Sequence, residues 1–293
     1  MTYQGPRDHI FLYHAYALAL GGWMKDKNGN LTTIDSVAPS VLSITGGFGS
    51  ASVHNLNCGT RAKFPFGDSG PEGFSVYVGH AYTEVRGVEG DDENNPFGFY
   101  KTTVRSVLDN VRMNDVFEVE HAEAILMSTH DKPGRDGSVE EGKVVVGDSN
   151  MSGVRVAGQR VGLEKRDGID RVPSYGALQQ LGTANIASLC DWNDPNAIPG
   201  APPYAVDFAT INQKSQNHLR FSVFKDVDFP STPGARAFKT SIEVDGFGRI
   251  FLGEVMASHG MKQVTMFRID LGCDNCGGAG GSDGTTNGSP YPP

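Results

Sequence analysis

An all-β fold, an antiparallel β-sandwich or related multi-sheet arrangement with at most one or two short helices, is predicted by three features of the sequence. Short apolar runs alternate with turn residues along the chain. Of 293 residues 38 are Gly and 16 are Pro, with no short period that would suggest a collagen-like rod. Asn-Gly, Ala-Gly and Asp-Gly pairs sit between strand-like runs, where tight hairpins require positive φ. A strand-rich unit also occurs twice in the N-terminal half.

The first strand is expected over Phe11–Leu20, apolar and aromatic, ending at Gly21-Gly22. Trp23–Asp26 and Leu31–Ile34 then flank Lys27-Asn28-Gly29-Asn30, a hairpin signal. His14-Ala15-Tyr16 leads to Leu31-Thr-Thr-Ile-Asp-Ser-Val37, and His80-Ala81-Tyr82 leads to Lys101-Thr-Thr-Val-Arg-Ser-Val107. Two blocks in the same order, separated by loops of different length, indicate a duplicated unit at about 10–40 and 76–110. Glu118–His121 alternates charge with apolar groups, as a half-exposed strand does. Further hairpins are expected at Ala157-Gly158 and at Asp245-Gly246.

The one helix signal is Tyr175–Leu189, limited by glycines. Asn193–Tyr204 is proline-rich and reads as a crossover. Strands are expected again at 219–224, 240–244, 249–256 and 262–271. This gives a β-rich region over 1–172, a short helix and crossover over 173–204, a second β-rich region over 205–272, either of the same domain or of its own, and a Gly/Ser/Pro tail over 273–293. With almost nothing apolar in it, the tail is expected to be flexible alone, needing a neighbour such as another subunit to order it.

Composition narrows the function classes. The formal net charge of −9 and a pI near 5.3 repel phosphate, so nucleic acid is not an expected partner. The basic stretch from Arg155 to Arg171 is interrupted by acidic residues and reads as a solvated strand face. No run approaches the roughly 18 apolar residues of a membrane span. The N-terminus shows no secretory leader. Cys273 and Cys276 form a Cys-x-x-Cys, but a Gly-rich stretch follows in place of a helix, and no second pair completes a zinc site. A local disulfide or free thiols is the expectation there, and pairing of Cys58 with Cys190 stays open.

Two acidic loops are the candidate metal sites. Asp26, Asn28 and Asn30 place oxygen donors at alternate positions around a glycine, as calcium loops do, although the bidentate Glu is missing. Asp91, Asp92 and Glu93, followed by Asn94, cluster donors suited to a hard cation such as Ca2+, against the alternative of a solvated acidic loop. His121 and Glu123 share a strand face and could act as an acid/base couple, with a surface ion pair as the simpler reading. His14 and His80 recur in the repeat and read as equivalent packing positions. Gly147-Asp148-Ser149-Asn150 is similar to an esterase motif, but the chain runs on into a hairpin rather than a helix. Neither Gly-x-Ser-x-Gly nor a phosphate loop ending in Lys-Ser or Lys-Thr is present.

Three stretches together resemble the choice-of-anchor β-domains of bacterial surface proteins. They are His14-Ala-Tyr-Ala-Leu-Ala-Leu20, Thr102-Thr-Val-Arg-Ser-Val107 and Gly147-Asp-Ser-Asn-Met-Ser-Gly-Val-Arg-Val-Ala-Gly158. The likeness spans about residues 10–172. It implies a secreted β-rich surface protein with no catalytic residues to carry over.

The expected function is therefore non-enzymatic and structural: self-assembly into a surface layer, fibre, tube or virion part, through strand edges and terminal extensions. The partners would be other copies of the chain, in an extracellular or surface assembly. The alternatives are a carbohydrate-binding or carbohydrate-cleaving β-protein, supported by Trp23, Trp192, Tyr77, Tyr82 and Tyr100 among scattered carboxylates, and a calcium-stabilised adhesion module.

Overall fold

The computed structural model describes residues 10–25, 31–60, 74–92, 95–132, 143–165, 218–230, 232–258, 261–271 and 277–291. Among them all regular structure is strand. In chain order come β1 (Ile10–Lys25), β2 (Leu31–Val37), β3 (Ser40–Val41), β4 (Gly47–Thr60), β5 (Phe74–Asp92), β6 (Asn95–Met113) and β7 (Phe117–Asp131). Short strands follow: β8 (Lys143–Val146), β9 (Asn150–Ser152), β10 (Arg155–Val156), β11 (Gln159–Arg160) and β12 (Gly162–Lys165). Then come β13 (His218–Ser222), β14 (Phe224–Asp228), β15 (Ala235–Phe238) and β16 (Ser241–Val244). The last three are β17 (Gly248–Ser258), β18 (Met261–Leu271) and β19 (Gly277–Tyr291). The helix expected at 175–189 and the proline-rich crossover lie outside the described residues. No helix among the described residues is long and apolar enough to cross a membrane.

The strands form two large antiparallel sheets. The first runs β15-β16-β17-β18-β19-β1-β2, with β13 also on β17 and β3 also on β1. The second runs β11-β10-β7-β6-β5-β4, with β8 and β9 also on β7. A small third sheet pairs β12 with β14. Strands from residues 10–41 and, β14 excepted, from 218–291 thus complete one sheet.

Alternation explains how the sheets pack. On β1, Phe11, Tyr13, Ala15, Ala17 and Ala19 are buried, while the residues between them are at least partly open. The buried face meets the second sheet: Phe11 stacks on Tyr100 of β6 at 4.4 Å, and Phe117 of β7 meets Phe267 of β18 at 4.9 Å. Each such ring contributes roughly 2–3 kcal/mol through burial.

The three hairpins with turn chemistry fall where the sequence puts them. β1 and β2 pair up to Lys25↔Leu31, around the Asn-Gly loop. β10 and β11 pair around Ala157-Gly158, with φ of 48° and 75°, the primed-turn signature. β16 and β17 pair around Asp245–Phe247, with φ of 71° at Gly246.

The Gly-rich tail departs from expectation. Residues 277–291 form β19, which lies inside the first sheet and is hydrogen-bonded to β18 on one side and β1 on the other. Its own chain holds it, so no neighbouring subunit is needed. The sequence suggests flexibility because apolar side chains are missing, yet small residues are what this place requires. A Cβ on Gly281 would stand 2.1 Å from the Phe267 ring, and one on Gly284 would stand 2.8 Å from Val104 of the facing sheet. Ser282, with φ of 52°, reaches across the sandwich. Its hydroxyl donates to the Ser106 carbonyl at 2.7 Å and accepts from the Ala124 N–H at 3.1 Å. Thr286 and Ser128 join hydroxyls across the same gap at 3.1 Å.

Each sheet is also crossed by one row of residues that its ladders skip. In the second sheet the row is Asn55, Gly79, Asn110 and Glu120. In the first it is Gly253, Met266, Ser282 and Ala19. Asn55 and Asn110 have φ near 50°, a conformation asparagine tolerates. At the row the inward-outward alternation inverts. Val78 and Val111 point into the core, while His80 and Asp109, two residues away, point outward.

Candidate functional site

β4 forms one edge of the second sheet. It pairs with β5 from Gly47↔Gly87 to Thr60↔Phe74, and no strand among the described residues pairs with its other side. Edge strands are ordinarily blunted by charge, proline or shortness. Two other described edges follow that rule: β11 has two residues and includes Arg160, and β15 has four and carries Arg236. β4 does not. Its 14 residues, GFGSASVHNLNCGT, include no Asp, Glu, Lys, Arg or Pro. Val41, Ile44 and Phe48, at its entry, are 69%, 56% and 64% exposed. These apolar side chains lie close together in sequence beside an open row of backbone donors and acceptors.

The row adjoining the inversion carries the titratable groups. Across four strands His54, His80, Asp109 and His121 stand directly opposite one another. The His54 and His80 rings stack at 4.5 Å and 19°. His80 Nδ1 lies 3.0 Å from Asp109 Oδ2, and His121 Nδ1 lies 2.7 Å from Oδ1. The carboxylate therefore bridges two imidazoles. Burial works to raise the Asp109 carboxyl, but hydrogen bonds and charge from His121 and His80 outweigh it and hold it below the usual carboxylate range. His121 Nε2 is 3.6 Å from Glu123, and Glu123 accepts from Arg105 Nε at 2.6 Å.

With both Nδ1 atoms engaged on Asp109, His121 turns its Nε2 toward Glu123, and His80 keeps its Nε2 for hydrogen bonding. The row also ties β4, through the ring stack, to the centre of the sheet. Among the described residues no group of three His, Cys, Asp or Glu is placed to hold a metal ion.

The sequence-derived candidates distribute unevenly. Asp26, Asn28, Asn30 and Glu93 lie outside the described residues, as do Cys190, Cys273, Cys276 and Trp192. Asp91 and Asp92 end β5, where Asp92 pairs with Asn95. His121 and Glu123 do share a face, but as members of a larger row. Its other members, Asp109 and His54, escaped sequence reasoning because only the register of β4 to β7 brings them together. His14 and His80 both point outward, on different sheets. His14 is exposed, whereas His80 belongs to the row. Ser149, of the esterase-like stretch, bonds both N–H and carbonyl of Ile125, so its hydroxyl is used in the fold.

Among curated proteins and among solved structures no match is found. A family model does match, over residues 11–188, an interval that takes in β1 to β12 and so both the free edge and the His–Asp row. That interval is more than half of the chain, which therefore belongs to the family described as "Domain of unknown function (DUF8256)".

Proposed function

We propose that the protein is a non-enzymatic structural component that self-associates into a surface layer, fibre, tube or virion part, with β4 as the joining edge. The observation that carries this reading is a 14-residue edge strand without a charged residue or proline, entered through exposed Val41, Ile44 and Phe48. A second copy offering its own β4 would extend the sheet across the junction and cover the apolar group. Because β19 is engaged within its own chain, copies would join through the sheet edge rather than through the tail. The resemblance to bacterial surface domains favours the same role.

Sedimentation velocity and negative-stain microscopy over a concentration series test it. The wild type should form assemblies whose size grows with concentration. A Phe48→Lys/Ser52→Lys variant, altered only at exposed positions, should sediment as a monomer with an unchanged circular dichroism spectrum. A wild type that remains a monodisperse monomer at the highest concentration overturns the proposal.

A further inference from the structure

The outer face of the first sheet carries a feature unrelated to the free edge. There β18, β19 and β1 enclose an open trough of about 520 Å3. Its floor includes the backbone of Gly21, Gly278 and Gly280; the Leu18 side chain lies over Gly21 and the Asp270 carboxyl beside Gly278, while Gly280 is open. The strand register orders its walls. Trp23 stands opposite Gly278, Arg268 opposite Gly280, and Asp283 lies opposite Thr265 on one side and Leu18 on the other. From Gly278 to Asp283 the trough runs about 16 Å, at ~3.3 Å per residue.

Trp23 is 47% exposed, which leaves an indole beside the trough in contact with water. At the far end the Asp283 carboxylate is held in place. It accepts from Gln263 Nε2 at 3.2 and 3.1 Å, from the Thr265 hydroxyl at 3.2 Å and from the Gly284 N–H. Arg268 is fixed as well. It makes two hydrogen bonds to Glu254, at 2.6 and 3.0 Å, and a third to Asp270, and it lies 3.9 Å over the Phe251 ring. Among the residues that line the trough, two carboxyl groups, Asp270 and Asp283, accompany one guanidinium, Arg268, so the trough does not favour anions.

An aromatic plate, open backbone at Gly280, rigidly held acceptors and a slight excess of negative charge suit a ligand with flat C–H faces and several neutral donors. We propose that this trough binds a neutral carbohydrate, a short oligosaccharide with one ring stacked on Trp23 and the hydroxyls of another bonded at Asp283 and Gln263. Stacking takes the apolar face of the sugar out of water and sets it against the indole. Hydroxyl-to-carboxylate bonds are charge-assisted and are made without reorganising the protein. At Gly280, where a Cβ would have no neighbour closer than 3.6 Å, a ring can approach the strands.

Isothermal titration of the full chain with maltotriose, cellotriose, chitotriose and xylotriose tests this, with spermidine and trigalacturonate as charged probes. A saturable heat is expected with at least one neutral trisaccharide and with neither charged probe. Trp23→Ala should weaken that binding about tenfold or more, and Trp23→Phe should recover most of it. No saturable heat with any of the four sugars overturns the proposal. So does binding that Trp23→Ala leaves unchanged, or tighter binding of spermidine or trigalacturonate.

Discussion

Asp283 is a carboxyl whose surroundings oppose its charge. Burial pushes it up to about 6 from its ordinary 3.8, against the hydrogen bonds of Gln263, Thr265 and Gly284. Between those two values the native state binds more protons than the unfolded chain, so the cost to stability is fully present above pH 6. It is relieved as the pH falls toward 4. Set against the non-titrating Asp283→Asn, the wild type should gain up to about 2 kcal/mol between pH 7 and pH 4.5, read from denaturant midpoints. A carboxyl NMR titration with its midpoint near 4 would refute the assignment. Asp109 behaves oppositely. Its value is lowered, so its contribution is present above the ordinary 3.8 and is lost only as the pH falls through the lower folded value.

At the scale of strands, the His–Asp row makes its own prediction. Asp109→Asn leaves an amide, whose single carbonyl cannot serve both imidazoles. A loss of about 1 kcal/mol is expected near pH 7, the row being partly open to solvent. Hydrogen exchange should quicken in β4, β5 and β6 and stay unchanged in β16 to β18. Equal acceleration in both sheets would mean that the row does not tie β4 to its neighbours. The row was not legible in the sequence, whereas the hairpins at Ala157-Gly158 and Asp245-Gly246 were. A turn is specified by adjacent residues, but the meeting of His80, Asp109 and His121 depends on the register of three strands. β19 was misread for a different reason. Its place is held by backbone hydrogen bonds and by the smallness of Gly281 and Gly284, and neither appears as hydrophobic pattern. The same glycines let Phe267 and Val104 pack closely, so the residues that seemed uninformative set the separation of the sheets.

For the whole molecule, β19 joins what would otherwise be two separate pieces of the first sheet. Deleting residues 277–291 parts β1 from β18 and opens the packing around Phe267 and Val104. The expected result is a collapse of cooperativity rather than a trimmed native protein: a broad or absent calorimetric transition and binding of a hydrophobic dye. A sharp transition at the original temperature would show that β19 is dispensable. The two sheets differ in how their strands follow one another along the chain. β4 to β7 are consecutive neighbours, each pairing with the next, whereas β1 pairs with a strand beyond residues 26–276.

That separation has a consequence for biosynthesis. On the ribosome the β4–β7 meander can form as it emerges, from contacts local in sequence. The β19 side of β1 stays open until some 250 further residues have been made. The first sheet therefore closes only after translation has passed β19, and this late, long-range step should limit the folding rate. During that interval β1, a largely apolar strand, is the part of the nascent chain most in need of a chaperone.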